Sequence, residues 1–202
     1  MNKKIIIGII IVLVLFIIIF IVFKPRYELN KAVKYIEHGD YKEAHEYIQS
    51  KNNEENKIIV KELITEIFFN KAGKGIQKVG NIISESTNVV RKVNLDDIDY
   101  TLDDNINIEV KALDAYINLE NEITKDMIDK EMQESYDLYF SIIKYVNKNF
   151  YDVLNHIYDN AFIDKVSSLS SDMTKVANDC YSYSDNHNYN PKTQNIYKKM
   201  SK

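Results

Sequence analysis

The chain reads as all-α: an N-terminal transmembrane helix followed by a small helical bundle. Three observations predict this. Residues Ile5 to Phe23 run without a charge or an amide. Only two prolines and five glycines occur in 202 residues, so the interval between Pro25 and Pro191 holds few helix breakers. Apolar residues recur there at three- and four-residue spacing, the period of a helix with one buried face.

Taken in order, residues 1–4 form a short basic tail with Lys3 and Lys4. At about 1.5 Å per residue the apolar run nearly matches a hydrocarbon layer of roughly 30 Å. Its composition predicts a membrane anchor over residues 5–23, with Ile5, Gly8, Phe16 and Phe23 marking its length, and Lys24, Pro25 and Arg26 closing it. The run is longer than a cleavable leader's apolar region and no A-x-A pair follows it, so an uncleaved signal-anchor is expected. The short tail with two lysines predicts a single-pass protein of the cell membrane with the bulk of the chain outside. The basic residues Lys24, Arg26, Lys31 and Lys34 support the cytoplasmic alternative.

Residues 27–51 predict a helical hairpin. Leu29, Ala32, Val33 and Ile36 make one stripe, Gly39 and Asp40 turn the chain, and Tyr41, Ala44, His45 and Ile48 make a second. Gly39 suits a backbone geometry that other residues resist, and the small Ala44 lets two helices approach closely. Ala32, Tyr35, Gly39, Asp40, Tyr41, Ala44 and Ile48 together resemble a tetratricopeptide-type hairpin over residues 29–50. Lys51 and Asn56 depart from that pattern, and no second copy with the same spacing follows. The resemblance therefore implies a local hairpin, not a peptide-binding superhelix, since solenoids need several stacked units.

Residues 55–181 predict the bundle. Ile58, Ile59, Leu63, Ile64, Ile67, Phe68 and Ala72 form a broad apolar face, continued more weakly by Ile76, Val79, Ile82, Ile83, Val90 and Val93. "NKAGKGIQKVG" alternates glycine and lysine but lacks the G-x-x-x-x-G-K-[ST] order and follows no predicted strand, which argues for helix packing over a phosphate loop. "NLDDIDYTLDDN", residues 94–105, reads as a solvated acidic connection, because it lacks the glycine and terminal glutamate of the twelve-residue calcium loop. Later helices carry Val110, Leu113 and Ile117, then Met132, Tyr136, Tyr139, Ile143 and Val146, then Leu169, Met173 and Val176. Their stripes break strict heptad order, which favours a globular bundle over a continuous coiled coil. Residues 182–202 read as a polar mobile tail.

Function is bounded mostly by exclusion. With 26 Lys and Arg against 30 Asp and Glu, the net charge of −4 gives no support for a nucleic-acid partner. The lone Cys180 forms no internal disulfide. His38, His45, His156 and His187 build no metal-ligand spacing, and the serines at 167–172 have no identifiable base. No catalytic residue, metal or cofactor is therefore assigned. Fifteen tyrosines suit packing with the hydroxyl at water, and the richness in Asn, Lys and Ile without Trp suggests an AT-rich bacterial genome. The expected role is protein–protein interaction or scaffolding at the cell envelope, with the lipid bilayer and a protein of unknown identity as partners. An envelope ligand or stress sensor is the rival, an enzyme a distant third, and the sequence leaves homo-oligomerisation open.

Overall fold

The computed structural model describes residues 3–92, 104–155, 160–186 and 189–201, with the side chains of only part of these. All regular structure among the described residues is helical: α1 Lys3–His38, α2 Tyr41–Gln49, α3 Glu54–Lys92, α4 Asp104–Lys111, α5 Asp114–Glu122, α6 Gln133–Asn155, α7 Asn160–Asn186 and α8 Pro191–Met200. Two 3₁₀ turns, Lys125–Met127 and Lys130–Met132, connect α5 to α6. The chain divides into two compact units, one of residues 1–62 with 190–202 and the other of residues 63–189.

In the first unit, the expected break after Phe23 is absent. Helix α1 is 36 residues long and carries Pro25 inside it. A proline removes one helical hydrogen bond, yet the helix continues, because Leu29, Ala32 and Ile36 on its next turns are buried with Tyr41, Ala44 and Ile48 of α2. Among the described residues no helix is long and apolar enough to cross a membrane. The transmembrane anchor expected over residues 5–23 is corrected accordingly. With it go the signal-anchor, the bilayer as partner, the single-pass cell-membrane location and the cell-envelope setting of the expected scaffolding or sensing role. The apolar run is instead the first part of a helix that runs on into the hairpin. The side chain of Ile5 lies outside the described residues, Gly8 lies within α1, and Phe16 and Phe23 are 68% and 60% exposed.

The hairpin turn follows from one glycine. Gly39 has φ +85°; its N–H donates to Ile36 O at 3.0 Å, and that of Asp40 to Tyr35 O at 2.9 Å. This pair of bonds satisfies carbonyls left over at the end of α1. The Asp40 side chain makes no capping bond to α2. Asn53 caps α3, its Oδ1 accepting from Asn56 N at 2.9 Å, and the buried Asn56 donates through Nδ2 to Pro25 O at 2.8 Å.

Where the sequence predicts a polar tail over residues 182–202, the structure continues α7 to Asn186 and then forms α8. Pro191 sits in the first turn of α8, and Asn190 caps it, accepting from Lys192 N at 3.0 Å. The buried Glu62 carboxylate receives Asn190 N at 3.3 Å and the Thr193 hydroxyl, and Thr193 is only 1% exposed. Lys192 Nζ reaches Glu55 at 2.9 Å. A segment too polar to bury a large apolar face is thus held in this unit by carboxylates facing its N-terminal end.

The second unit is the bundle. Phe68 of α3 lies at its centre, with ring centroids 5.0 Å from Phe69, 4.9 Å from Tyr136, 5.5 Å from Tyr139 and 5.9 Å from Phe140. Leu113, Ile123, Ile128 and Ile142 are fully buried with them. The glycines that soften the apolar pattern of α3 sit inside a continuous helix. An ideal Cβ on Gly75 would come within 2.6 Å of Tyr139 Oη, so this glycine admits the tyrosine. The 94–103 part of the acidic connection lies outside the described residues.

Candidate functional site

Two groups of polar side chains stand out, one in each unit. In the bundle, the Tyr183 hydroxyl donates to the Asp129 carboxylate, and Asp129 N donates to Thr65 Oγ1 at 3.0 Å. The Tyr189 hydroxyl donates to Glu66 and the Ser135 hydroxyl to Asp179. Burial first, and then the Asp129 charge, push the Tyr183 phenol far above its ordinary value, so it stays a proton donor. Burial likewise raises the Tyr136 and Tyr139 phenols, and it pushes the Cys180 thiol up to about 12. At neutral pH Cys180 is therefore a thiol and a poor nucleophile. The Tyr183, Tyr189 and Ser135 hydroxyls each donate to a carboxylate, and the chemistry of this network is to join α3, the 3₁₀ turns, α6 and α7.

Of the histidines, His38 donates through Nδ1 to Lys34 O at 2.6 Å across the last turn of α1. His45 is half-buried on α2, and His156 and His187 lie outside the described residues. Among the described residues no group of three or more His, Cys, Asp or Glu side chains could hold a metal ion.

The second group lies on the hairpin. Of the residues singled out there, Ala32, Tyr41, Ala44 and Ile48 are buried, Tyr35 is half-buried, and Gly39 and Asp40 form the exposed turn. Tyr35 does not stand alone. Its ring lies 6.0 Å from that of Tyr47 in an edge-on contact. Lys31 Nζ sits 4.7 Å from the Tyr47 centroid and 6.0 Å from that of Tyr35, and Lys51 Nζ sits 4.5 Å from the Tyr47 centroid. Ammonium groups over a ring face are drawn by its quadrupole, worth about 0.5–1 kcal/mol at an exposed site. Partial burial raises the Tyr47 phenol; the Lys31 charge opposes the shift, while Glu28, Tyr27 and Tyr35 add to it. Tyr27, one turn before Lys31, is 66% exposed.

Lys31, Tyr47 and Lys51 are not marked by motif reasoning. Their signal is the pair of four-residue spacings Lys31 to Tyr35, one turn apart on α1, and Tyr47 to Lys51, across the C-terminal end of α2. Only the hairpin register brings the two pairs onto one ring.

No protein-family model, curated protein or solved structure matches the chain.

Proposed function

We propose that the chain is a helical protein-binding module whose contact surface is the Lys31, Tyr35, Tyr47 and Lys51 side of the α1–α2 hairpin. In this reading the hairpin is the tetratricopeptide-like unit of residues 29–50, used as a single docking element. The observation that carries the reading is the convergence of two lysines and two half-buried tyrosines on one side of the hairpin. Leu29, Ala32, Ile36, Tyr41, Ala44 and Ile48 already supply the contact between α1 and α2. Tyrosines combine a large ring with a hydrogen-bonding tip, and exposed clusters of them suit protein interfaces better than solvent.

A photo-reactive amino acid at Tyr47, compared in cells with the same group at the exposed Glu43 of α2, tests the reading. A discrete protein adduct at position 47 and none at 43 supports it. No adduct at 47, or the same adduct at both, overturns it.

A further inference from the structure

We infer that the partner docked on this face presents an acidic segment, whose carboxylates are taken by the ammonium groups of Lys31 and Lys51. The inference rests on the binding-module reading and adds the partner's chemistry to it. Lys31 projects from α1 and Lys51 from the end of the α2 segment, yet both ammonium groups stand within 4.7 Å of one ring centroid. The other described basic groups that reach a carboxylate do so within the fold. Lys57 pairs with Glu54, Lys71 with Glu122, Lys78 with Glu109, and Lys192 with Glu55. Among the described residues, neither Lys31 nor Lys51 has a carboxylate within salt-bridge distance.

Glu28, one turn before Lys31, is near enough to act on the Tyr47 phenol, but it is 7% exposed and pairs with neither lysine. Two like charges gathered on one aromatic ring repel each other, and a carboxylate placed between them relieves that repulsion. The Tyr47 hydroxyl adds a hydrogen-bond donor beside them. Charge complementarity thus selects an acidic chain over a neutral or basic one.

Titration of the full chain against fluorescent hexaglutamate, with hexalysine and vesicles of equal phosphatidylglycerol and phosphatidylcholine alongside, tests this. Hexaglutamate is expected to bind saturably, and the Lys31→Gln/Lys51→Gln double variant to weaken it about tenfold, the loss of two exposed ion pairs. Lys42→Gln, exposed on α2, should leave binding unchanged. Absence of saturable hexaglutamate binding, equal binding by the double variant, or lysine-dependent binding to the vesicles instead of the peptide would overturn the acidic segment. If the peptide fails while the Tyr47 cross-link still yields a specific adduct, only the partner's chemistry falls; if both fail, the binding-module reading falls with it.

Discussion

Three glycines of one helix should respond to the same substitution in opposite directions. Alanine in place of an interior helical glycine is favourable by about 0.5–1 kcal/mol where space allows. At Gly73 the added Cβ would meet Cys180 Cβ at 3.6 Å, and at Gly80 it would meet Met173 Cε at 3.7 Å, both ordinary contacts. Gly73→Ala and Gly80→Ala should therefore stabilise the bundle by about that amount. At Gly75 the Cβ would lie 2.6 Å from Tyr139 Oη and 3.1 Å from both Tyr139 Cε2 and Tyr116 Cδ1. Tyr139 is fully buried among Phe68 and Phe140 and cannot swing aside. Overpacking of this kind costs about 1–3 kcal/mol, which outweighs the gain in helix propensity.

The hydroxyl supplies the internal control. Tyr139 Oη is buried with no hydrogen-bond partner among the described residues, a state that costs about 1–3 kcal/mol. Tyr139→Phe should then stabilise the protein, and it should remove the shortest contact that Gly75→Ala creates. A double-mutant cycle measured by urea unfolding should give a favourable coupling of about 1 kcal/mol or more. Additive effects, or a Gly75→Ala variant as stable as Gly80→Ala, would refute the packing described for α3 and α6.

Other substitutions test the remaining joints. Ala44→Glu, at a position with no exposed surface, should destabilise the hairpin by about 2–4 kcal/mol and Lys42→Ala by less than about 0.5 kcal/mol in denaturant unfolding; equal effects would exclude a close α1–α2 contact. Thr193→Val removes the hydroxyl that Glu62 accepts and should cost about 1.5–3 kcal/mol, seen as faster hydrogen exchange in α8. The hydrogen bonds from Lys192 and then Asn190 hold the Glu55 carboxyl below its ordinary 4.5. Their contribution is present above that value and is lost as pH falls through the lower folded value, so the protection of α8 amides relative to their intrinsic exchange rates should fall in acid and Lys192→Met should blunt the fall. Cys180, raised to about 12, should react with a thiol reagent at pH 8 far more slowly in the native chain than in urea, and similar rates would contradict its burial.

The legible parts of the fold are those in which one segment specifies its own neighbour. Ala32, Ile36, Ala44 and Ile48 repeat at three and four residues and are buried, and Gly39 supplies the one positive φ of the described chain. Hydropathy alone misjudged the N-terminus. It reports that Ile5–Phe23 is apolar, but not that α1 runs through Pro25 to His38 and spends its later turns against α2. The C-terminal helix was hidden for a different reason. Asn190 and Pro191 are a sound start signal, but the polar sequence after them is held by Glu62 and Glu55, more than a hundred residues away in the chain. The candidate site is half visible in the sequence: the hairpin resemblance marks Tyr35, while Lys31, Tyr47 and Lys51 acquire meaning only once the hairpin register puts them on one ring.

The central claim is that the Lys31, Tyr35, Tyr47 and Lys51 face receives a protein, and backbone hydrogen exchange locates such contact directly. The full chain is measured alone and again in complex with the protein that cross-links at position 47. Amides of residues 27–51 should gain protection on binding, and the gain should vanish in the Lys31→Gln/Lys51→Gln variant. Protection that falls instead within residues 63–189, with 27–51 unchanged, would contradict the account.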